Sequence, residues 1–313
     1  MGRTSYRGGV TDGDGKLTSD WRNLFARYSD RFMLGSDTWI NERWFGYDTI
    51  FKEYRGWLAQ ARRIANGNAL PLFRTAGLIR IPNGEKSNMK LYMHPVSITS
   101  RPVRLFAADN NIAMDEEVVD LFTGVHLQPP YSTINPNCLV PMLEDGDTKL
   151  TESSAILKYL ADKIGSPAYP KDLRARAKVN EMMDWINTNF YREWGYNLCY
   201  PQLFPHLKRR SDEAQQATLE FGRENARRWL KLLNDYWLGP NKTYLCGDQI
   251  TIADYFGSGI VTLGEIIRVD FTPYPNVKRW LDAMKKRPNW AKVNEAFYGL
   301  RAAVKEQKFV TLA

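Results

Sequence analysis

Cysteine and histidine are scarce in this chain, with three of each among 313 residues. Cys138, Cys199 and Cys246 stand alone, with no Cys-x-x-Cys spacing, which argues against a disulfide framework and suits the reducing cytoplasm. His94, His126 and His206 are equally isolated and no His-x-His pair occurs, so no metal is expected as cofactor. Long apolar runs are missing too. The nearest candidate, residues 250–267, is interrupted by Asp254 and Glu265, which excludes a membrane-spanning helix of roughly twenty residues. Near the start, Arg3, Arg7, Asp12 and Asp14 lie among glycines, with no apolar stretch of the kind that directs export. The formal charge of +8 suggests nucleic acid at first sight, but it is unevenly placed. Residues 1–88 carry +5 of it, and the longer remainder only +3 with acids and bases interleaved. The one basic cluster there, Lys208-Arg209-Arg210, reads as a solvated loop, so neither nucleic acid nor membrane is expected as a partner.

An apolar content of 43% over this length is enough for two or three cores. Residues 89–93 read as a strand, 102–110 as a helix and 116–120 as a second strand. Residues 140–143 and 149–150, separated by Asp145-Gly146-Asp147, predict a β-hairpin. Residues 152–164 place Ala155, Ile156, Leu157, Leu160, Ala161 and Ile164 at helical spacing. The order β-α-β-β-β-α is that of a thioredoxin-like α/β domain over residues 89–166, closed by Gly165-Ser166-Pro167. Beyond it only helical patterns appear, which predicts an all-α domain over residues 172–313 with long paired helices at 175–198 and 212–238. Thr251 and Asp254 form a capping-box variant, with Asp in place of Glu, that reads as a folding element.

Two segments carry the chemistry. In Asn135-Pro136-Asn137-Cys138-Leu139-Val140-Pro141-Met142-Leu143 a proline follows Val140 on a short apolar strand. Proline removes a ladder donor, and a cis bond there would turn the Val140 backbone groups toward an added extended peptide. In Leu150-Thr151-Glu152-Ser153-Ser154-Ala155-Ile156, Glu152 and Ser153 stand at a helix N-terminus, where they could take a peptide's ammonium and carboxylate.

On these residues the chain resembles the glutathione transferase family over residues 89–305. The resemblance implies a thioredoxin-like domain followed by a helical one, with glutathione as co-substrate held by Val140, Pro141, Glu152 and Ser153. The loop His94-Pro95-Val96-Ser97-Ile98-Thr99-Ser100-Arg101-Pro102 is similar to that of serine-type theta- and delta-like classes and of bacterial dehalogenating relatives. Ser97 then takes the place of the hydroxyl that donates to the glutathione sulfur, and Ser100 stands where those classes usually carry Cys. A thiol of pKa about 8.5 is mostly protonated at neutral pH, and lowering it by about two units takes roughly 3 kcal/mol. One charge-assisted hydrogen bond of about 1.5–3 kcal/mol, aided by a helix N-terminus, has that size. A purely structural role for Ser97, capping the helix that follows, is the competing reading.

The resemblance places His126 beside the glycyl end of glutathione, whereas Leu139 departs from the Lys or Gln often found two residues before the proline. Tyr92 is a second hydroxyl near the first strand, and a Ser97–His94 hydrolytic pair lacks an evident orienting acid. The electrophile pocket is expected to draw on Trp185, Asn189 and Arg192 in the first long helix of the second domain. A small hydrophobic electrophile, detoxification by conjugation or dehalogenation, and a homodimer are the further implications. The alternative is a binding or regulatory protein of the same fold without turnover.

The chain before Met89 reads differently. The strand-like Asp30–Thr38 and helix-like Arg63–Phe73 resemble the end of a metal-dependent amidohydrolase barrel over residues 10–73, with Asp37 at the metal-binding strand end. A barrel needs about 250 residues and one acid cannot hold a catalytic metal, so residues 1–74 are expected to be a non-catalytic α/β fragment, joined by a linker at 75–88.

Overall fold

The computed structural model describes Ser19 and residues 89–312. Asp37 and, Ser19 apart, the barrel-like segment expected over residues 10–73 lie outside the described residues, as does the linker expected at 75–88.

The sheet is built on β1, Met89–Met93, whose Leu91, Tyr92 and Met93 are buried. It pairs in parallel with β2, Asp115–Val118, and antiparallel with β3, Met142–Asp145, which pairs antiparallel with β4, Thr148–Leu150. The strand order β2-β1-β3-β4 is the mixed sheet expected of a thioredoxin-like domain. Register sets Leu91 opposite Leu143, and Leu143 opposite Leu150, along one face. The edge strand β2 is exposed throughout and carries charges, with Lys90–Glu117 and Arg104–Glu116 ion pairs tying it down.

Helix α1, Ser100–Asp109, crosses between β1 and β2. It begins two residues before Pro102, because a proline in the first turn is tolerated and Ser97 satisfies the first donors. The Ser97 carbonyl accepts from the Arg101 N–H at 3.0 Å, and the Ser97 Oγ accepts from the Ser100 N–H at 3.2 Å. A short helix α2, Tyr131–Ile134, precedes β3, and α3, Ser153–Lys163, follows β4 with Ile156, Leu157, Leu160 and Ala161 buried.

The second domain is all helical. Helix α4, Leu173–Trp185, is capped by Asp172, whose side chain accepts from the Ala175 N–H. It continues to Cys199, but with i→i+5 bonding over Ile186–Phe190 and Arg192–Cys199, and runs into α5, Tyr200–Leu203. Helix α6, Asp212–Leu232, capped by Ser211, widens likewise over Leu233–Leu238 before Gly239, at φ +60°, ends it. The central helix α7, Ile252–Val261, is buried on every side. Helices α8, Pro275–Lys285, and α9, Trp290–Ala303, close the domain.

The two domains share one hydrophobic core, and α7 packs directly on α1. Gly259 allows that approach, since a Cβ there would collide with Pro102 and lie 2.8 Å from the Ile98 carbonyl oxygen. Arg101 pins the start of α1 to the helical domain. Its guanidinium is fully buried, donates to the Gly259 carbonyl at 3.0 Å, the Thr262 Oγ1 at 3.2 Å and the Asn294 Oδ1, and lies 3.6 Å over the Phe297 ring. Burial lowers the Arg101 pKa to about 9. Lone buried guanidinium groups are costly, so these acceptors and the ring are what keep the charge inside.

Candidate active site

Between the two domains lies a cavity of about 400 Å³. Four chain segments reach it from the first domain: the loop after β1, the loop before β3, the turn carrying His126, and the N-terminus of α3.

The loop after β1 brings Ser97 and Thr99 to the cavity, where their hydroxyl oxygens lie 3.0 Å apart. The Thr99 hydroxyl donates to the Val140 carbonyl at 3.0 Å. Ser97 therefore both caps α1 and faces the cavity, and one role does not displace the other. The Ser100 hydroxyl is fully buried with no hydrogen-bond partner. His94 is buried behind this loop, its Nδ1 accepting from the Val96 N–H at 3.3 Å and its Nε2 4.0 Å from Asp120. Burial lowers the His94 pKa against the opposing pull of Asp120. Its nitrogens are thus directed at Val96 and Asp120, not at Ser97. Tyr92 donates to Glu144 at 3.1 Å and packs on Tyr131, away from the cavity.

Asparagine chemistry shapes the loop before β3. The buried Asn135 side chain accepts from the Asn137 N–H at 3.1 Å and donates to the Leu139 carbonyl at 2.8 Å, where the Tyr131 hydroxyl also donates. Cys138, at φ +55°, is the residue bent by this turn and does not line the cavity. Leu139 does line it, with 58% of its surface exposed, beside buried Val140 and Pro141, which are joined by a cis bond.

Glu152 precedes α3 with φ +64° and ψ 111°, a conformation that costs a non-glycine residue on the order of 1–3 kcal/mol. No side chain caps α3, so its first N–H groups at Ser153 and Ser154 open on the cavity. That end of the site therefore favours an anion. Glu152 adds a carboxylate that would draw a cation to the same place. His126, in the 3-10 turn Val125–Leu127, faces the cavity with its Nδ1 buried and unpaired.

The helical domain supplies an aromatic wall. Tyr191, Tyr196, Tyr200 and Phe204 line it in a continuous row, with ring centroids 5.2–5.5 Å apart between successive members, and Phe122 closes the row from the first domain. The Tyr191 and Tyr200 hydroxyls are hydrogen-bonded at 2.7 Å, and burial pushes both phenols up. Asn187 joins this wall, whereas the Trp185, Asn189 and Arg192 expected there do not line the cavity. Trp185 packs among Phe190, Trp229 and Trp237, and Arg192 pairs with Glu193 at 2.8 Å. The i→i+5 segments are the physical cause. Each widened turn delays the face by almost one residue relative to a 3.6-residue period, so 187, 191, 196 and 200 share a side. No sequence signal announces that widening.

Among the described residues no group of three or more His, Cys, Asp or Glu could hold a metal ion, and no helix is long and apolar enough to cross a membrane.

Comparison with known proteins bears on the family and the fold. Residues 96–163 match the family described as glutathione S-transferase, N-terminal domain, and residues 198–288 match glutathione S-transferase, C-terminal domain. The chain is 38% identical to human glutathione S-transferase theta-1 over 168 residues, 53% of this chain and 69% of that protein. It is 30% identical to glutathione S-transferase T1 of Arabidopsis thaliana over 238 residues, 70% of this chain and 93% of that one. Among solved structures, human glutathione transferase theta-2 in complex with glutathione superposes with a TM-score of 0.62 at 29% identity, covering 71% of this chain and 93% of that one. A Nilaparvata lugens delta-class glutathione transferase superposes at 0.57 and 29% identity, covering 69% and 99%.

Proposed function

This chain belongs to the glutathione S-transferase family and is a glutathione transferase, and we propose that it is a serine-type member that activates its thiol through Ser97. The observation that carries this reading is that Ser97, Val140, the uncapped N-terminus of α3 and an aromatic wall all line one cavity.

Glutathione lies across the first-domain side. Its cysteinyl backbone pairs with Val140 as an added strand would, with Pro141 shaping the turn. Its γ-glutamyl carboxylate takes the N–H groups at Ser153 and Ser154, and its ammonium takes Glu152. His126, which lines the cavity, lies beside the glycyl carboxylate. Leu139, exposed at the same edge, offers that carboxylate no charge. The thiol then reaches Ser97, whose hydroxyl donates to the thiolate and holds the nucleophile ionised.

The electrophile occupies the wall of Tyr191, Tyr196, Tyr200 and Phe204, in place of the Trp185, Asn189 and Arg192 surface. Desolvation there leaves a thiolate held 3–3.5 Å or so from the attacked carbon as the main source of rate. A compact hydrophobic electrophile, conjugated or relieved of a halide, suits that wall. On this reading residues 89–166 bind glutathione and residues 172–313 the electrophile, and the chain works as a homodimer.

The test is the ultraviolet thiolate absorbance of glutathione bound to the full chain, titrated with pH, beside Ser97→Ala. The expected result is a bound thiol pKa about one to two units below that of free glutathione, lost in the variant. An unshifted bound thiol, or an Ser97→Ala protein that titrates as the parent does, overturns the role of Ser97.

A further inference from the structure

The hydroxyl hydrogen of Ser97 is already committed. Thr99 has one hydroxyl hydrogen, and it is directed at the Val140 carbonyl, 3.0 Å away. The 3.0 Å contact between Ser97 Oγ and Thr99 Oγ1 must then be donated by Ser97. The Ser100 N–H meanwhile donates to Ser97 Oγ at 3.2 Å. A directed chain results, from Ser97 to Thr99 to the Val140 carbonyl, and all three residues line the cavity.

Its two ends are the two groups that the proposed function assigns to glutathione, one for the thiolate and one for the peptide backbone. We infer that Thr99 is a positioning residue that couples them, reversing the hydroxyl chain when glutathione binds. The Val140 carbonyl has two lone pairs, and an incoming amide N–H that takes the one Thr99 uses displaces the Thr99 hydroxyl. Thr99 released from that carbonyl turns about its C–O bond and donates to Ser97 Oγ instead. Ser97 then turns its own hydrogen to the sulfur. Both hydrogens stay on their own oxygens, so the step needs only two bond rotations. In the reversed chain Ser97 Oγ accepts two hydrogen bonds, from Thr99 and from the Ser100 N–H, while donating one. Accepting polarises the O–H bond and makes it the stronger donor. Recognition of the peptide backbone thereby prepares the group that holds the thiolate.

This inference rests on the Ser97 reading, and the experiment separates the two. In the full chain, Thr99→Val removes the hydroxyl at nearly constant volume, Thr99→Ala removes it without added bulk, and Thr99→Ser keeps it. Two quantities are read for each: the pKa of the bound glutathione thiol, and the affinity for S-methylglutathione, which has the same peptide but no thiol. Without the Thr99 hydroxyl, the ratio of thiolate to thiol at neutral pH is expected to fall about three- to tenfold, the range of one neutral hydrogen bond. S-methylglutathione is expected to bind as well as before or more tightly, because the Val140 carbonyl has lost a competing donor. Thr99→Ser is expected to restore the parent values. A structural role would weaken both ligands together, and that result overturns the coupling. So does a parent-like thiol pKa in Thr99→Val and Thr99→Ala when Ser97→Ala raises it. A thiol pKa indifferent to Ser97→Ala as well would instead remove the reading beneath it.

Discussion

Replacing Asp254 tests how the helical domain is held under the cavity. Its carboxylate is fully buried at the third position of α7 and accepts four hydrogen bonds. Oδ1 takes the Leu245 N–H at 2.8 Å and the Trp280 Nε1–H at 2.9 Å, and Oδ2 takes the Thr251 N–H at 2.8 Å and its hydroxyl at 3.0 Å. Burial outweighs these donors and pushes the carboxyl pKa from 3.8 up to about 6. The folded state therefore binds this proton more tightly than the unfolded one. The resulting stabilisation is present in full below about pH 4 and is lost as pH rises to about 6, roughly 3 kcal/mol in all. Asp254→Ala leaves four donors without a partner, about 6 kcal/mol at roughly 1.5 kcal/mol each, and removes that roughly 3 kcal/mol ionisation cost. The net loss at pH 7 is expected to be about 3 kcal/mol, and nearer 6 kcal/mol at pH 4. Urea unfolding of the two proteins at both pH values measures it. A loss below about 1 kcal/mol at pH 7, or a difference that grows with pH, would refute the reasoning.

Other parts of the structure make predictions of their own. A Cβ on Gly222 of α6 would lie 2.5 Å from the Asn197 carbonyl carbon, in the widened part of α4, so Gly222→Ala is expected to destabilise by about 2 kcal/mol despite better helix propensity. Thermal unfolding reads this, and a variant as stable as its parent would show that the two helices can separate freely. Leu139→Lys puts a cation at the exposed edge of the cavity beside the place proposed for the glycyl carboxylate. Glutathione is expected to bind about two- to fivefold more tightly, with the gain shrinking as salt is added. Equal affinity by calorimetry at low salt would move that carboxylate elsewhere.

The elements that depend on neighbouring residues were legible in the chain itself. Strand β1, the β3–β4 hairpin, α3 and the Thr251–Asp254 cap lie within a residue or two of where alternation, spacing and capping chemistry put them. The segment around Val140–Pro141 and the Glu152–Ser153 pair, which line the cavity, could be picked out for the same reason, since each is a short run of residues with one chemistry. Ser97 was legible as a hydroxyl at a helix start, a signature shared by its capping contact and by the role proposed for it. The face of α4 was not. Trp185, Asn189 and Arg192 were expected at the pocket from their place in the second half of the first long helix, whereas Asn187, Tyr191, Tyr196 and Tyr200 line it along the i→i+5 turns. Close packing accompanies the widened segments: a Cβ on Gly222 would collide with Asn197, and one on Gly264 with the Trp194 ring.

Sequence by itself determined the two-domain order, the elements of the first domain and the residue types available to hold a peptide and a thiol, because propensity, capping and alternation act over a few residues. Only the tertiary structure decided where those groups meet. Arg101 finds its acceptors near residues 259–262 and at Asn294, and Thr99 finds the Val140 carbonyl 41 positions away. The direction in which the Ser97 hydrogen points depends on that last contact. Hydrogen bonds act over about 3 Å of space, whatever the distance along the chain.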